Sequence, residues 1–216
     1  MTLEELLFLA EGIYTTLLIS ILSFVIGFAI GASTAIARQF APRAAAALIE
    51  GYEKVFMGVP VLVIMLFVYF GLGGLIPLFK DAFLTSVAAL GLRSGAYQGR
   101  IFHGAINSVG RDQVLAAYSL GMDRLSVFRH VILPQAFIVA LPGLGSEMAL
   151  LIKDSSYAFL LGVLELAKRA DIIRAATRSF MYPYLCAALI YIALTFPIAN
   201  YLDRLGSRLK ARYGLR

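Results

Sequence analysis

The sequence of 216 residues contains few charged side chains. Only 15% of its residues are Asp, Glu, Lys or Arg, whereas 60% are hydrophobic and the mean hydropathy is +0.83. Soluble domains have about 25% charged and roughly 45–50% apolar residues. This composition excludes a water-soluble enzyme, a disordered tail and a nucleic-acid-binding module. A chain of this length also leaves no room for a soluble catalytic domain beside several membrane spans.

Cysteine is almost absent. The one cysteine, Cys186, excludes an internal disulfide framework and is interpreted as a small apolar residue inside a span. A basic segment at the N-terminus is missing as well, since the chain begins Met1-Thr-Leu-Glu-Glu. Because cleaved signal peptides start with basic residues, we expect the first hydrophobic stretch to be a retained helix.

Long uncharged runs, in contrast, are abundant. A helix needs about 20 mainly apolar residues to cross a bilayer. Three such runs are uninterrupted, and two more are interrupted by charges such as Arg93 and Glu147. The five predicted spans are residues 12–37, 55–79, 82–104, 131–152 and 179–202. We therefore expect an all-α polytopic membrane protein with five transmembrane helices, in a single domain covering residues 1–216.

Proline and glycine predict where these spans break or pack closely. Proline removes a helical hydrogen bond, and small residues let membrane helices approach each other. The predicted break points are Pro60, Pro134, Pro142 and Pro197, with Gly71, Gly73 and Gly74 weakening the end of the second span. The predicted close contact involves Gly27, Gly31 and Ala35, at four-residue spacing.

The distribution of lysine and arginine predicts the orientation. Twelve basic residues lie after the first and third spans and in the C-terminal tail, which includes Arg216, against six in the remaining connections. Since positive segments stay in the cytoplasm, we expect the N-terminus outside and the C-terminus in the cytoplasm. The segment Lys153–Arg178 fits this rule least well. The net charge of +6 is then a mark of topology and not of a nucleic-acid partner.

The third connection, residues 111–130, has the pattern of two short helices joined by a sharp bend. Gln113–Leu120 favours a first helix, and Gly121 supplies the left-handed residue that ends it. Asp123 is a good N-cap for a second helix, and Pro134 suits the first turn of the next span. The apolar stripe of the second helix consists of Leu125, Phe128 and Ile132. This bent pair is either a docking knob for another protein or a loop lying against its own bundle.

Motifs in this connection resemble the EAA loop of ABC-importer permeases. Ala116-Ala117, Gly121 and Leu133-Pro134 match its pattern, while Leu115 replaces the glutamate of E-A-A. In that family the loop carries a coupling helix that inserts into a cleft of the ATPase subunit. The resemblance implies ATPase-coupling roles for Ala116, Ala117, Gly121, Asp123, Arg124, Phe128, Leu133 and Pro134.

Further segments are similar to the polar amino acid uptake family, which includes the histidine, glutamine and arginine permeases. They are Gly58-Val-Pro60 with Val68-Tyr-Phe-Gly71, Ala96-Tyr97 with Gly104, Val131-Ile-Leu-Pro-Gln-Ala136 with Pro142, and Lys153-Asp-Ser-Ser156. The pattern departs at Met57, Arg100 and His103, where the family has Arg, Glu and Arg. The resemblance implies a type I importer permease fold in a prokaryotic inner membrane. It also implies a second permease subunit, two ATP-binding subunits that use ATP and Mg²⁺, and an extracytoplasmic solute-binding protein.

Polar residues of the third and fourth spans are candidates for the solute path, because the family's path runs through these spans. An ionisable group inside a span costs roughly 2.5–3.5 kcal/mol, so it faces a cavity or pairs with another. The candidates are Arg93, Tyr97, Gln98, Arg100, His103, Glu147, Lys153, Asp154, Ser155 and Ser156. Arginine can fork a carboxylate and Glu147 can receive an ammonium group, which suits an amino acid. The alternatives are an internal Arg93–Glu147 ion pair, and interfacial positions for Arg100, Lys153 and Asp154.

Catalytic and metal-binding motifs are missing from the sequence. His103 and His130 lack partners at metal-ligand spacing, and no nucleophile elbow or phosphate-binding loop occurs. We therefore expect a transport subunit that binds no metal or cofactor, with ATP bound by another polypeptide. The resulting hypothesis is an importer permease for polar amino acids. The alternatives are a permease for an opine, a modified amino acid or a methionine-like compound, a channel or scaffold without an ATPase, and a membrane enzyme.

Overall fold

A computed structural model describes residues 2–214, and the regular secondary structure within that range is helical. The α-helices are α1 (Leu3–Phe40), α2 (Arg43–Gly58), α3 (Val61–Leu66), α4 (Ala82–Asn107), α5 (Arg111–Ser119), α6 (Arg124–Val127), α7 (Leu133–Asp154), α8 (Leu166–Thr177) and α9 (Tyr182–Arg212). Phe67–Leu72 and Phe128–Ile132 are π-helical, and Pro77–Lys80 and Ser155–Leu161 are 3₁₀ turns. Arg216, one of the basic residues counted in the tail, lies outside the described residues.

Three helices of the described chain are long and apolar enough to cross a membrane. They are Leu3–Phe40, the continuous helix Arg124–Leu161, and Tyr182–Arg212. A fourth crossing is obtained if Arg43–Gly58 and Val61–Leu72, which meet at 104°, count as one broken span. The predicted all-α fold is confirmed. The predicted number of five spans is not, because α4 does not qualify by composition.

The predicted second span, residues 55–79, is not one helix. α2 ends at Gly58 and α3 begins at Val61, on either side of the sharp bend. Pro60 causes this break, because proline has no N–H to donate and forces the residue before it into an extended conformation. Val59 indeed has ψ 132°. The break predicted at Pro60 is therefore confirmed, and it divides a segment that was predicted to be continuous.

The other predicted break points behave differently. The π-helical segment ends at Leu72, just before Gly73 and Gly74, as the glycine pattern predicts. Pro142 and Pro197 lie inside α7 and α9, which continue through them. These two prolines cost their helices a hydrogen bond without ending them.

α1 and α4 pack at very short distance, which confirms the contact predicted from the small residues of α1. A Cβ added at Gly27 would lie 2.7 Å from the Cβ of Ser94, and one added at Gly31 would lie 2.7 Å from the backbone nitrogen of Gly99. The latter neighbour is backbone and cannot rotate away. Glycine at position 31 is therefore required by the approach of the two helices.

Replacing Gly31 with alanine is expected to lower the stability of the bundle by about 1–3 kcal/mol, since overpacking forces the backbone apart. Gly51 offers a matched control, because it also lies inside a helix but has nothing within 4 Å of its added Cβ. Gly51→Ala should be stabilising by about 0.5–1 kcal/mol through the higher helix propensity of alanine. Thermal unfolding of both variants in detergent checks this. Equal shifts in the two variants would contradict the packing argument.

α7 occupies the middle of the bundle, in contact with α1, α4 and α9. α8 packs across the ends of α1 and α9, where Leu9, Leu166 and Ile173 form a small apolar cluster. α2, which precedes the Pro60 break in the chain, packs against α4. The break, α4 and the C-terminal end of α7 are thereby brought to one place.

Candidate functional site

A cavity of about 470 Å³ opens where α2 breaks from α3. One wall is the break itself, residues Met57–Leu62, and the other consists of Arg93 and Tyr97 from α4. Asp154 and Tyr157, at the C-terminal end of α7, complete the lining. Three of the predicted path residues, Arg93, Tyr97 and Asp154, therefore share one cavity.

An ion pair lies in this cavity. Arg93 Nη1 is 2.8 Å from Asp154 Oδ2, and the two side chains are 14% and 18% exposed. The Arg93 guanidinium also lies 4.5 Å from the centre of the Tyr97 ring, within range of a cation–π interaction. Arg93 thus pairs with Asp154, and not with Glu147 as the alternative interpretation has it. The cavity contains one positive and one negative group, both of them partly accessible.

Glu147 and Gln98 lie elsewhere, inside the bundle. Glu147 is 2% exposed, and its Oε1 has no hydrogen-bond partner among residues 2–214. Gln98 is fully buried and donates through Nε2 to the Phe24 carbonyl at 3.1 Å and to Ser94 Oγ at 2.9 Å. The hydrogen bond to Phe24 joins α4 to α1. Neither residue is among those that line the cavity.

Arg100 faces a buried carboxylate on α2. Its Nη1 lies 3.8 Å from Oε2 of Glu53, a residue that is 1% exposed and also pairs with Arg38 at 3.0 Å. His103, one turn further along α4, is hydrogen-bonded to Asn107 at 3.0 Å. These residues join the ends of α1, α2 and α4. Arg100 and His103 are therefore not part of the cavity lining.

The last three candidates surround the end of α7. Lys153 is exposed and forms no ion pair with the described residues. Ser155 is buried and donates to the Ile152 carbonyl at 2.8 Å, while Ser156 is half-buried. The Ser155 hydroxyl is therefore engaged within the 3₁₀ segment that continues α7.

Sequence reasoning missed Glu53 and Tyr157. The sequence predicts a connection at residues 38–54, and it therefore gives Glu53 no role other than its contribution to the net charge. The available signal was the run Arg43–Gly58, which follows Pro42 and contains no proline. Such a run favours a helix that can carry Glu53 into the bundle. Tyr157 stands beside the Lys153-Asp-Ser-Ser156 motif and has no signal of its own.

The connection after α4 forms a bent helical knob, residues Arg111–Val127. α5 ends at Ser119, and Gly121 follows with φ 82°, which confirms the predicted left-handed residue. Asp123 caps α6 as predicted, since its side chain accepts from the Ser126 backbone N–H at 3.2 Å. Hydrogen bonds from Ser126 hold the pKa of Asp123 below its usual range, which keeps the cap ionised at neutral pH.

The second arm of the knob is not a separate short helix, contrary to the prediction. α6 continues through the π-helical segment Phe128–Ile132 into α7, so that Arg124–Leu161 is one helix. Pro134 lies in the first turn of α7, where the hydrogen-bond pattern changes from π to α. A π turn is a common way for a helix to continue past such an interruption. The knob is therefore rigidly connected to the cavity-lining helix.

The knob is anchored to the end of α1. Arg124 donates to the Gln39 carbonyl, and its guanidinium lies 5.1 Å from the centre of the Phe40 ring. Phe128 is only 6% exposed and meets Phe40 edge-to-face at 5.3 Å. Arg124 and Phe128, both predicted coupling residues, are thus engaged with the chain's own bundle. They hold the knob in place, while other residues form its outer surface.

The outer surface of the knob is apolar. Leu120 is 83% exposed, Leu115 62% and Leu125 61%. Ala117 is buried between the two arms, whereas Ala116 and Gly121 are exposed beside these leucines. Leu133 and Pro134 lie at the base, along an apolar groove that faces α1 and α4. An exposed group of large apolar side chains at a bend is typical of a protein-binding site.

Within residues 2–214 no group of three or more His, Cys, Asp or Glu side chains could hold a metal ion.

Comparisons with known proteins identify the family of this chain. Residues 27–211 match the family described as "binding-protein-dependent transport system inner membrane component". A protein of Rickettsia bellii named for a glutamine transport system permease is 31% identical over 195 residues, which cover 90% of this chain and 89% of that one. An arginine transport system permease protein of Bacillus subtilis is 32% identical, covering 89% and 88%. An octopine transport system permease protein of Rhizobium radiobacter is 32% identical, covering 84% and 81%.

Solved structures give the same result. The crystal structure of an amino acid ABC transporter with histidines superposes with a TM-score of 0.88 and 31% identity, covering 96% of this chain and 100% of that one. The inward-facing MetNI methionine ABC transporter, at 15% identity and a TM-score of 0.80, shares the fold. Since the family match and these relatives extend over most of the chain, the protein is a member of the binding-protein-dependent transport system inner membrane components.

Proposed function

We propose that this chain is the permease subunit of an ATP-driven importer for polar amino acids, and that the cavity at the Pro60 break is part of the solute path. The observation that carries this proposal is the Arg93–Asp154 pair in that cavity. A free amino acid offers a carboxylate to the guanidinium and an ammonium group to the aspartate. The volume of about 470 Å³ also lies within the range of ligand pockets, ~300–1,000 Å³.

The energy source lies in partner subunits. The exposed leucines of the knob support this, because an apolar helical surface that seats in a groove is a common mode of protein recognition. We propose that the knob docks on an ATPase subunit, which binds the ATP and Mg²⁺. A second permease subunit, a second ATPase and an extracytoplasmic solute-binding protein complete the importer. The N-terminus then lies outside and the C-terminus in the cytoplasm.

Movement of the knob reaches the cavity through one helix. The continuous segment Arg124–Leu161 carries the second arm of the knob at one end and Asp154 near the other. Closure of the ATPases displaces the knob as a rigid body, and this helix tilts with it. Asp154 is thereby shifted relative to Arg93 on α4, which changes access to the solute. This lever is a physical basis for coupling between ATP and transport.

The solute class is testable by uptake. The chain is co-expressed with an ATPase subunit and a solute-binding protein of an amino acid importer, and the assembly is reconstituted in proteoliposomes. We expect ATP-dependent accumulation of glutamine, arginine or histidine, with the corresponding decarboxylated amine failing to compete. Faster uptake of octopine than of all three amino acids would assign the opine alternative. Passage of solute without the ATPase would overturn the proposal in favour of a channel.

A further inference from the structure

The cytoplasm-proximal part of α9 carries a basic face that is independent of both the cavity and the knob. It lines a surface depression of about 420 Å³ with Pro197, Asn200, Tyr201, Arg204, Leu205 and Arg208. These positions follow helical spacing, so they lie along one side of α9. We refer to this side as the α9 basic face.

The α9 basic face points away from the rest of the bundle. On its other side, Gly206 approaches Pro142 of α7 so closely that an added Cβ would lie 2.7 Å from the proline ring. Arg204 and Arg208 are each two residues from Gly206, which places them about 160° around the helix from that contact. Tyr201 is 67% exposed. The face is therefore directed outwards, to whatever surrounds the bundle.

The two arginines lie at the depth of a membrane surface. The uncharged part of α9 ends at Leu202, and Arg204 and Arg208 follow within two turns. At 1.5 Å per residue they stand about 3 Å and 9 Å beyond the end of the uncharged run at Leu202. Tyrosine at position 201 fits the same level, because aromatic side chains concentrate where hydrocarbon meets headgroups.

Both guanidinium groups lack an anionic partner among residues 2–214. Within the described chain, neither Arg204 nor Arg208 forms an ion pair or a side-chain hydrogen bond. The neighbouring Asp203 points about a third of a turn away from the face. Two arginines one turn apart with an amide and a phenol beside them form a donor set for phosphate oxygens.

We propose that the α9 basic face binds the phosphate headgroup of an anionic phospholipid, with one acyl chain lying along Pro197 and the apolar part of α9. Basic pockets at membrane-protein surfaces take such lipids by charge attraction. A second copy of this chain is a poorer occupant. A twofold contact through this face would gather the two arginines of each copy in one interface, and like charges at an interface are costly.

The test uses the purified full-length chain in nanodiscs of phosphatidylcholine with a minor fraction of phosphatidylglycerol. Native mass spectrometry then counts the lipids retained on release. We expect the wild type to retain phosphatidylglycerol preferentially, and Arg204→Gln/Arg208→Gln to lose about 30-fold of that preference, on the order of fivefold per arginine. Lys210→Gln removes one charge from the side of the same helix that carries Gly206, outside the face, and should retain the preference.

Two further experiments distinguish a bound lipid from a free anion and from a second copy of the chain. Excess inorganic phosphate should not displace the bound lipid, since it lacks the acyl chains; displacement would show a free-anion site and overturn the lipid assignment. Tyr201→Cys should give no disulfide-linked dimer in the membrane. Efficient cross-linking of this variant would assign the face to a second copy of the chain. If the glutamine variant aggregates, Tyr201→Ala with Asn200→Ala replaces it, again with a loss of preference expected. Equal retention by wild type and the variant tested overturns the proposal.

Discussion

Gly121→Pro is expected to abolish solute uptake and to prevent the chain from retaining its ATPase partner. Gly121 has φ 82°, whereas proline is fixed near −65°. The Gly121 N–H also donates to the Tyr118 carbonyl at 2.9 Å, and proline removes that donor. The bend between the two arms of the knob cannot then form. We expect uptake to fall at least tenfold, measured together with co-purification of the ATPase.

Gly121→Asn is the matched control at the same position. Asparagine tolerates the left-handed conformation and keeps the N–H, so the bend persists and most of the uptake is retained. The transmembrane helices lie away from the bend, so we expect both variants to reach the membrane in normal amounts. This amount is measured in parallel with uptake. Full ATPase retention by the proline variant would disprove the coupling role of the knob.

Asp154→Asn is expected to have the second large effect. It leaves the Arg93 guanidinium without its partner in a partly accessible cavity, which destabilises the bundle by about 1–3 kcal/mol, less than the loss for a fully buried pair. We also expect uptake to become undetectable, because the ammonium group of the solute loses its anionic partner. Thermal unfolding and uptake are measured on the same preparation.

A charge exchange separates the structural role of this pair from the transport role. Arg93→Asp with Asp154→Arg keeps an ion pair, so the double variant should recover most of the lost stability. The orientation of charge in the cavity is reversed, and uptake should therefore stay at least tenfold below that of the wild type. Recovery of uptake along with stability would mean that the pair only holds α4 to α7. The surface pair Arg174–Asp171 is a control whose loss changes neither property greatly.

The sequence predicts the helical class, the knob and the Pro60 break because each depends on local chemistry. Gly121 and Asp123 act within one turn, and proline at position 60 interrupts a helix whatever surrounds it. The sharing of one cavity by Arg93, Tyr97 and Asp154 is a tertiary property. Sequence motifs identify these three residues together with seven other candidates. Which of the ten line the cavity depends on how the helices pack against each other.

Three predictions from the sequence are incomplete or wrong because composition does not determine packing. The uncharged run at residues 55–79 indicates low polarity, but it does not indicate the 104° bend inside this segment. Glu53 is charged, and yet its pairing with Arg38 allows it to be buried. Phe128 belongs to the apolar stripe of the knob, but contact with Phe40 turns it towards α1. In each case a partner distant in sequence decides the outcome.

The close contact of α1 with α4 has a consequence for biogenesis. α4 carries Arg93 and Arg100 and is not among the helices that qualify as spans by composition. The buried amide nitrogen of Gln98 donates to the Phe24 carbonyl of α1, the helix that leaves the ribosome first. We therefore expect the insertion of α4 to require that α1 is already in the bilayer, where it can accept this hydrogen bond. A chain synthesised without α1 should expose its third hydrophobic segment to quality-control proteases before the remainder of the bundle can assemble.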